Sequence, residues 1–169
     1  MKAALIAALL TASAVAQKPD ARLAPACGPE TARFKVTLDK TQHMMAPIEP
    51  GKARIYFIHD AGTFLAHPPG YPTTILGLDG AWVGANHADS YFSVPVTPGE
   101  HHVCATLQSA FVDQRVELAH FTAEAGKSYA FRTRLLVSRD VELLELTAIG
   151  SDQARFLVAS YPLASSRAK

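Results

Sequence analysis

The chain has 169 residues, of which 16 are Lys or Arg and 15 are Asp or Glu, so its formal net charge is +1. A balance this close to neutrality argues against the strongly basic surface typical of nucleic-acid binding, and no nucleic-acid partner is predicted. The length suits a single domain with a substantial hydrophobic core.

The N-terminal residues have the order of a secretory signal peptide. A positive charge at Lys2 precedes the apolar run Ala3–Leu10, and the sequence AVA at 14–16 supplies a cleavage site with small residues. The apolar run is well short of the roughly 20 residues that a membrane-spanning helix needs, so no transmembrane span is predicted. We therefore expect cleavage after Ala16, which removes residues 1–16, and a secreted or periplasmic mature protein.

The chain contains two cysteines, Cys27 and Cys104. In the oxidising compartment that export implies, a disulfide between them is the favoured prediction. The crosslink would close a loop of 77 residues, for which the chain-entropy account gives roughly 4 kcal/mol of stabilisation. Lipid modification of Cys27 is an alternative, but a lipobox requires Leu three residues before the cysteine, where this chain has Ala24.

The first half of the chain alternates turn-rich segments with strand patterns. Residues 17–30, with three prolines, predict a flexible leader. RFKVTLD alternates apolar and polar residues, as a half-buried strand does, and ARIYFIHD is apolar enough for a strand in the middle of a sheet. Between Ala61 and Pro72, three prolines and two glycines predict an irregular, exposed excursion.

The next elements are a hairpin and a strand that carries two adjacent histidines. The Asp-Gly pair at 79–80 is the turn signal of a hairpin between TTILGL and AWVGAN. SYFSVPV then predicts a strand that ends at a Pro-Gly turn, and HHVCATL pairs back. Strand alternation places His101 and Val103 on one face and His102 and Cys104 on the other, so the adjacent histidines cannot chelate one ion together.

The last part of the chain predicts further strands at 116–122, 128–136 and 141–150. SDQARFLVAS at 151–160 is typical of a short helix with a Ser or Asp cap, and residues 161–169 predict a flexible tail. Many short strands separated by turns indicate an antiparallel β-sandwich of about seven to nine strands with a short C-terminal helix. The sandwich domain is expected at residues 31–160, and a closed barrel is the alternative.

Three phrases carry a resemblance to a known family: the hairpin LDGAWVGAN, the stretch YFSVPVTPGEHHVCA, and the strand entry AEAGKSYAFR. In this order they resemble the bacterial family called domain of unknown function 2846 (DUF2846), over about Lys52 to Ala159. Similar turn phrases occur in prealbumin-like and PEGA sandwich modules. The resemblance implies a small exported or lipid-anchored sandwich, and it implies no catalytic residues. Many relatives look like lipoproteins, from which this chain departs because Cys27 lacks a lipobox.

Exposed aromatic residues are the strongest indication of a binding surface. They lie in or beside the hairpin and the Pro-rich excursion, where the loop ends of a sandwich often bind peptide, glycan or protein partners. The residues of this predicted surface are Phe64, Tyr71, Trp82 and Tyr91. The competing interpretation places Trp82 and Tyr91 in the core between the sheets.

Seven histidines raise the question of a metal site. No two of them have close ligand spacing on one face, so a site would require separate strands to bring His59, His101 and His120 together. These three are weak candidates beside the simpler interpretation, in which each histidine is hydrogen-bonded within the sheet or its loops.

The residues provide no convincing catalytic constellation. A G-x-S-x-G nucleophile elbow is absent from the sequence, and the nearest cluster is NHADSYFS, with Ser90 and Ser93 close to His87 and Asp89. The sequence therefore predicts a non-enzymatic binding or structural module of the cell envelope, without a cofactor and with a protein, peptide or glycan partner. A secreted hydrolase, or a metal-binding protein that uses a histidine cluster, is the alternative function.

Overall fold

The computed structural model describes residues 27–28, 32–61, 72–108, 116–138 and 141–169. Within them are ten strands and one helix. The strands are β1 (Phe34–Asp39), β2 (Ala53–His59), β3 (Thr73–Leu78), β4 (Ala81–Asn86), β5 (Ser90–Val96), β6 (Gly99–Gln108), β7 (Glu117–Ala123), β8 (Ser128–Ser138), β9 (Val141–Ile149) and β10 (Leu163–Ala168), and the helix is α1 (Ser151–Ser160). Among the described residues there is no helix long and apolar enough to cross a membrane.

Two sheets form a sandwich, as predicted. The larger sheet has the order β1-β10-β5-β2-β8-β9 and the smaller has the order β4-β3-β6-β7. Most neighbouring strands are antiparallel, but β2 runs parallel to β8, and β10 runs parallel to β5. The sequence did not predict these parallel pairs, because the period of two describes the faces of a strand and carries no information about its neighbour's direction.

The predicted flexible tail at 161–169 is wrong. Residues Leu163–Ala168 form β10, which pairs along its whole length with β1 and also contacts β5. The sequence LASSRA does not show the apolar alternation of a strand, because Ala164 is the only buried residue of β10. The backbone hydrogen bonds of two neighbouring strands, rather than apolar side chains, hold it in the sheet.

Strand β2 is buried on both faces. Ile55 and Phe57 point into the space between the sheets, where Phe92 and Phe131 also lie. The opposite face of β2 packs under α1, so that Ile58 belongs to a second apolar cluster with Leu157, Val158 and other residues. This double burial explains why the sequence of β2 is an almost continuous apolar run.

The predicted hairpin is present as β3 and β4. Asp79 and Gly80 both have positive φ angles, of 50° and 83°, as a two-residue type I′ turn requires. A bulge between Leu76 and Gly77 shifts the register of the pair. Gly77 is also the place where Cys27 contacts the smaller sheet, since a Cβ atom at Gly77 would lie 2.5 Å from Sγ of Cys104 and 2.9 Å from Cα of Cys27.

The predicted pairing of Cys27 with Cys104 is confirmed. The two cysteines form a disulfide, their Cα atoms are 5.5 Å apart, and neither is exposed to solvent. Gly28 then lies against the indole ring of Trp82, where a Cβ atom would come within 2.8 Å of Cδ1. The disulfide therefore fixes the beginning of the described chain on the outer face of the smaller sheet.

We expect Cys27→Ala and Cys104→Ala to lower the free energy of unfolding by similar amounts, roughly 4 kcal/mol, and the double variant to lose little more. Urea unfolding monitored by circular dichroism measures these values. Reductant should bring the wild-type protein to the level of the variants. Losses that add in the double variant would contradict a single crosslink.

Candidate functional site at one end of the sandwich

A cluster of buried polar side chains lies where β2 ends. His59 and Thr133 are less than 2% exposed, and Thr74 is fully buried. Nδ1 of His59 is 2.8 Å from Oγ1 of Thr133 in the same sheet and 3.2 Å from Oγ1 of Thr74 in the facing sheet. This group, which we call the inner cluster, joins the two sheets through hydrogen bonds instead of apolar contacts.

Two neighbouring residues extend the inner cluster. The side-chain amide of Asn86, at the end of β4, donates to the backbone carbonyl of Phe57 at 3.0 Å. Ser90, opposite His59 in the antiparallel register, donates from its hydroxyl to the backbone carbonyl of His87 at 2.7 Å. Both side chains are fully buried, so they hold the β4–β5 connection against the end of β2.

A second group, the outer cluster, surrounds Asp60 on the opposite face of the larger sheet. One carboxylate oxygen of Asp60 accepts from Nε and Nη2 of Arg134 at 3.0 and 2.5 Å, and Nη1 of Arg132 lies 3.8 Å away. The other oxygen accepts from the hydroxyl of Tyr161 at 2.8 Å. Asp60 is 4% exposed, and the two guanidinium groups compensate its buried charge.

Tyr161 links α1 to this carboxylate. Burial raises the pKa of the Tyr161 hydroxyl, and the nearby carboxylates of Asp60 and Asp89 raise it further. The hydroxyl therefore stays protonated at physiological pH and acts as a hydrogen-bond donor to Asp60. A hydroxyl with a raised pKa keeps its proton near neutrality, which suits a permanent hydrogen-bond donor between α1 and the carboxylate.

The residues of the predicted hydrolase cluster form hydrogen bonds with backbone groups and with side chains outside the cluster. The Ser90 hydroxyl bonds to a backbone carbonyl, and Oγ of Ser93 accepts from the Arg54 guanidinium at 3.1 Å. Asp89 accepts from the backbone N–H of Ala61 at 3.0 Å. Nδ1 of His87 lies 3.4 Å from Oγ1 of Thr73. The Ser90 hydroxyl and the Asp89 carboxylate therefore bond to backbone groups of the loops and strand ends.

The three histidines proposed as metal ligands do not come together. His59 is adjacent to Thr74, at the beginning of β3, whereas His101 lies beyond the opposite end of β3. The register of β6 separates these levels by six residues, or about 20 Å at the rise of a strand. His120 is exposed on the outer face of β7. Within the described residues, no group of three or more His, Cys, Asp and Glu side chains could hold a metal ion.

His101 instead forms an ion pair with the hairpin turn. Its Nδ1 is 2.6 Å from Oδ2 of Asp79 and its Nε2 is 2.7 Å from the carbonyl of Thr97. Burial lowers the pKa of His101, but these two hydrogen bonds outweigh burial and the net shift is upward. For Asp79 the signs are reversed. Burial raises the pKa of its carboxyl, but hydrogen bonds from the His102 N–H and from His101 lower it, and the net shift is downward.

The four residues of the predicted aromatic surface do not share one environment. Phe64 and Tyr71 lie outside the described residues. Trp82 is partly buried and packs against a small cluster that contains Phe34 and Ile75. Tyr91 is 2% exposed and its hydroxyl donates to the carbonyl of Met44 at 3.2 Å. Tyr91 is therefore a core residue in the same apolar cluster as Leu157 and Val158 of α1, and its assignment to a binding surface is wrong.

Comparisons of the chain with family models, with curated proteins and with solved structures found no match.

The outer cluster was not predicted from the sequence. The pattern placed Asp60 at the end of the predicted strand ARIYFIHD and gave no role to Arg132, Arg134 or Tyr161. The two arginines do carry a signal, since they occupy alternate positions of one predicted strand and so share one face. Nothing in the sequence indicates that Asp60, more than 70 residues earlier, is their partner.

We expect Asp60→Asn to destabilise the protein by about 3 kcal/mol, because it leaves two guanidinium groups without their buried counter-charge. Thermal and urea unfolding give the change in free energy. Glu49→Gln is the matched control, since Glu49 is 55% exposed in its 3.4 Å ion pair with Arg54 and solvent screens that pair. Equal effects of the two substitutions would contradict a structural role for the outer cluster.

The His101–Asp79 pair should make stability depend on pH. The folded-state pKa of His101 lies above its ordinary value of 6.5, so the pair contributes fully below that value and its contribution falls as pH rises through the folded-state pKa. Wild-type protein should therefore exceed His101→Gln in unfolding free energy by more at pH 6 than at pH 9. Asp79→Asn should weaken the same pH dependence, because only the hydrogen bond to the Thr97 carbonyl then favours the protonated ring. A difference that is constant over this range would count against the ion pair.

Proposed function

We propose that this chain is an exported β-sandwich that acts as a binding or structural module of the bacterial cell envelope. The observation that carries the proposal is that the polar groups at the end of β2 are hydrogen-bonded within the sandwich. His59, Asp60, Ser90 and Tyr161 are each bonded to strands or turns of the sandwich itself. Groups held in this way make a rigid end of the domain, which is what a recognition loop requires.

The Pro-rich segment at 62–71 connects two anchored points of this end. On one side, the N–H of Ala61 donates to the Asp89 carboxylate at 3.0 Å. On the other side, Thr73 begins β3 and pairs with Gln108 of β6. The sequence of the segment contributes Phe64 and Tyr71, and aromatic side chains presented on a rigid scaffold are the usual anchors of protein and glycan recognition. We assign partner binding to this segment.

Export is supported by two independent features. The first residues have the composition of a signal peptide, and the domain contains a disulfide whose cysteines are both buried. Disulfides persist in oxidising compartments and are rare where thiols are kept reduced. The resemblance to DUF2846 proteins agrees with the same location. A secreted or periplasmic domain would meet its partner in the envelope or outside it.

A hydrolytic function has weaker support than binding. Hydrolysis would require a nucleophile and a base that a substrate can reach. His59 and Ser90 face one another across β2 and β5, but both are fully buried. The Ser90 hydroxyl also donates a hydrogen bond to the backbone carbonyl of His87. We therefore propose binding as the function and place no catalytic role on these residues.

The binding proposal predicts that Phe64→Ala combined with Tyr71→Ala weakens retention on an immobilised cell-envelope extract of the producing bacterium by about tenfold or more. Parallel columns made from protease-treated and glycosidase-treated extract distinguish a protein partner from a glycan. Phe156→Ala is the matched control, because this helix residue is a 70% exposed aromatic outside the proposed surface. Failure of wild-type protein to bind any column, or equal retention of the double variant, would contradict the proposal.

A further inference from the structure

Two histidines face each other on the solvent side of the smaller sheet. His102 of β6 and His120 of β7 are directly opposite in the antiparallel register. Both are exposed, whereas their neighbours Val103 and Phe121 point towards the core. The two imidazole rings therefore project from the same face of adjacent strands. The strand pattern of HHVCATL alone could not reveal this pair, because the partner histidine lies on a different strand.

The hydrogen bonds of His102 show whether His102 and His120 are a hydrogen-bonded or a non-hydrogen-bonded pair of the antiparallel ladder. Its N–H donates to Oδ1 of Asp79 at 2.9 Å, and its carbonyl accepts from the N–H of Asp79 at 3.0 Å. The N–H and C=O of one strand residue point to the same side, so both backbone groups of His102 face the hairpin turn and neither faces β7. His102 and His120 thus form a non-hydrogen-bonded pair, in which Cα atoms are about 4.5 Å apart and side chains come closest.

We propose that His102 and His120 together bind one Cu²⁺ ion. Neutral imidazole is a good ligand for late first-row transition metals, and among the divalent ions Cu²⁺ binds most tightly to a given set of nitrogen ligands. The described residues contain no cluster of three or more His, Cys, Asp and Glu side chains able to hold a metal. Two imidazoles therefore supply the protein ligands and water completes the coordination, which makes this an exposed site of moderate affinity.

The surroundings of the pair favour a cation. Glu100 precedes His102 by two residues on β6 and is exposed, so it lies on the same face and adds a negative charge beside the site. The Asp79 carboxylate is already bonded to the His102 N–H and to the ring of His101. It acts as a clamp that holds this part of β6 in place and is not a ligand. The site is separate from the end of the sandwich assigned to partner binding.

The test uses the mature chain with no affinity tag, since a histidine tag would itself bind metal. Titration with CuCl₂ should give one Cu²⁺ per chain by calorimetry, and electron paramagnetic resonance at one equivalent should show two coordinated nitrogens. His102→Gln and His120→Gln should each raise the dissociation constant about tenfold or more, and the double variant should lose little beyond either single one. Zn²⁺ should bind more weakly than Cu²⁺.

His87→Gln is the matched control, because His87 lies at the end of β4, near Thr73 rather than near this pair. It should keep the wild-type affinity. The melting temperatures of the metal-free variants check that the exposed substitutions leave the fold intact. Unchanged Cu²⁺ affinity in either single variant, independent losses that add in the double variant, or a spectrum with a single nitrogen ligand would overturn the proposal.

Discussion

The burial of β2 on both faces is the constraint on which the rest of the structure depends. Its inward side chains fill the space between the sheets and its outward side chains pack under α1. Apart from Arg54 near its beginning, a strand enclosed in this way has no solvent-facing side on which to place polar residues. The polar residues therefore follow at its end, where His59 faces inward and Asp60 faces outward. Each one becomes the centre of a hydrogen-bonded cluster.

These two clusters serve the same purpose on the two faces of the larger sheet. The inner cluster connects the sheets through His59 and two threonines, and the outer cluster connects α1 to β8 through Tyr161, Asp60 and Arg134. Buried polar groups are costly unless they are hydrogen-bonded, so the bonds made by His59 and Asp60 favour one arrangement of the strand ends. A rigid end of this kind is suited to presenting a loop, which is why we place recognition there and not in a catalytic cleft.

The smaller sheet has a different character. Its outer face carries the disulfide, the glycine contact with Trp82 and the exposed histidine pair. Asp79 is central to this face, because the turn that it begins donates and accepts hydrogen bonds with β6 and forms the ion pair with His101. A single turn residue thus holds the hairpin against the strand that carries both the disulfide and the proposed Cu²⁺ ligand. The two sheets therefore support separate functional proposals.

The sequence by itself determined the sandwich class, the hairpin at Asp79, the short helix and the pairing of Cys27 with Cys104. Periodicity and turn chemistry are local properties, so a short stretch of sequence is enough to predict the strands, the hairpin and the helix. The disulfide follows from the fact that the chain has two cysteines. Only the tertiary structure decided that 163–168 is a strand, that Tyr91 is buried, and which polar side chains meet. The physical reason is that a strand pattern describes its two faces, whereas hydrogen-bond partners, parallel neighbours and cross-strand histidines depend on register between segments that are far apart in the chain.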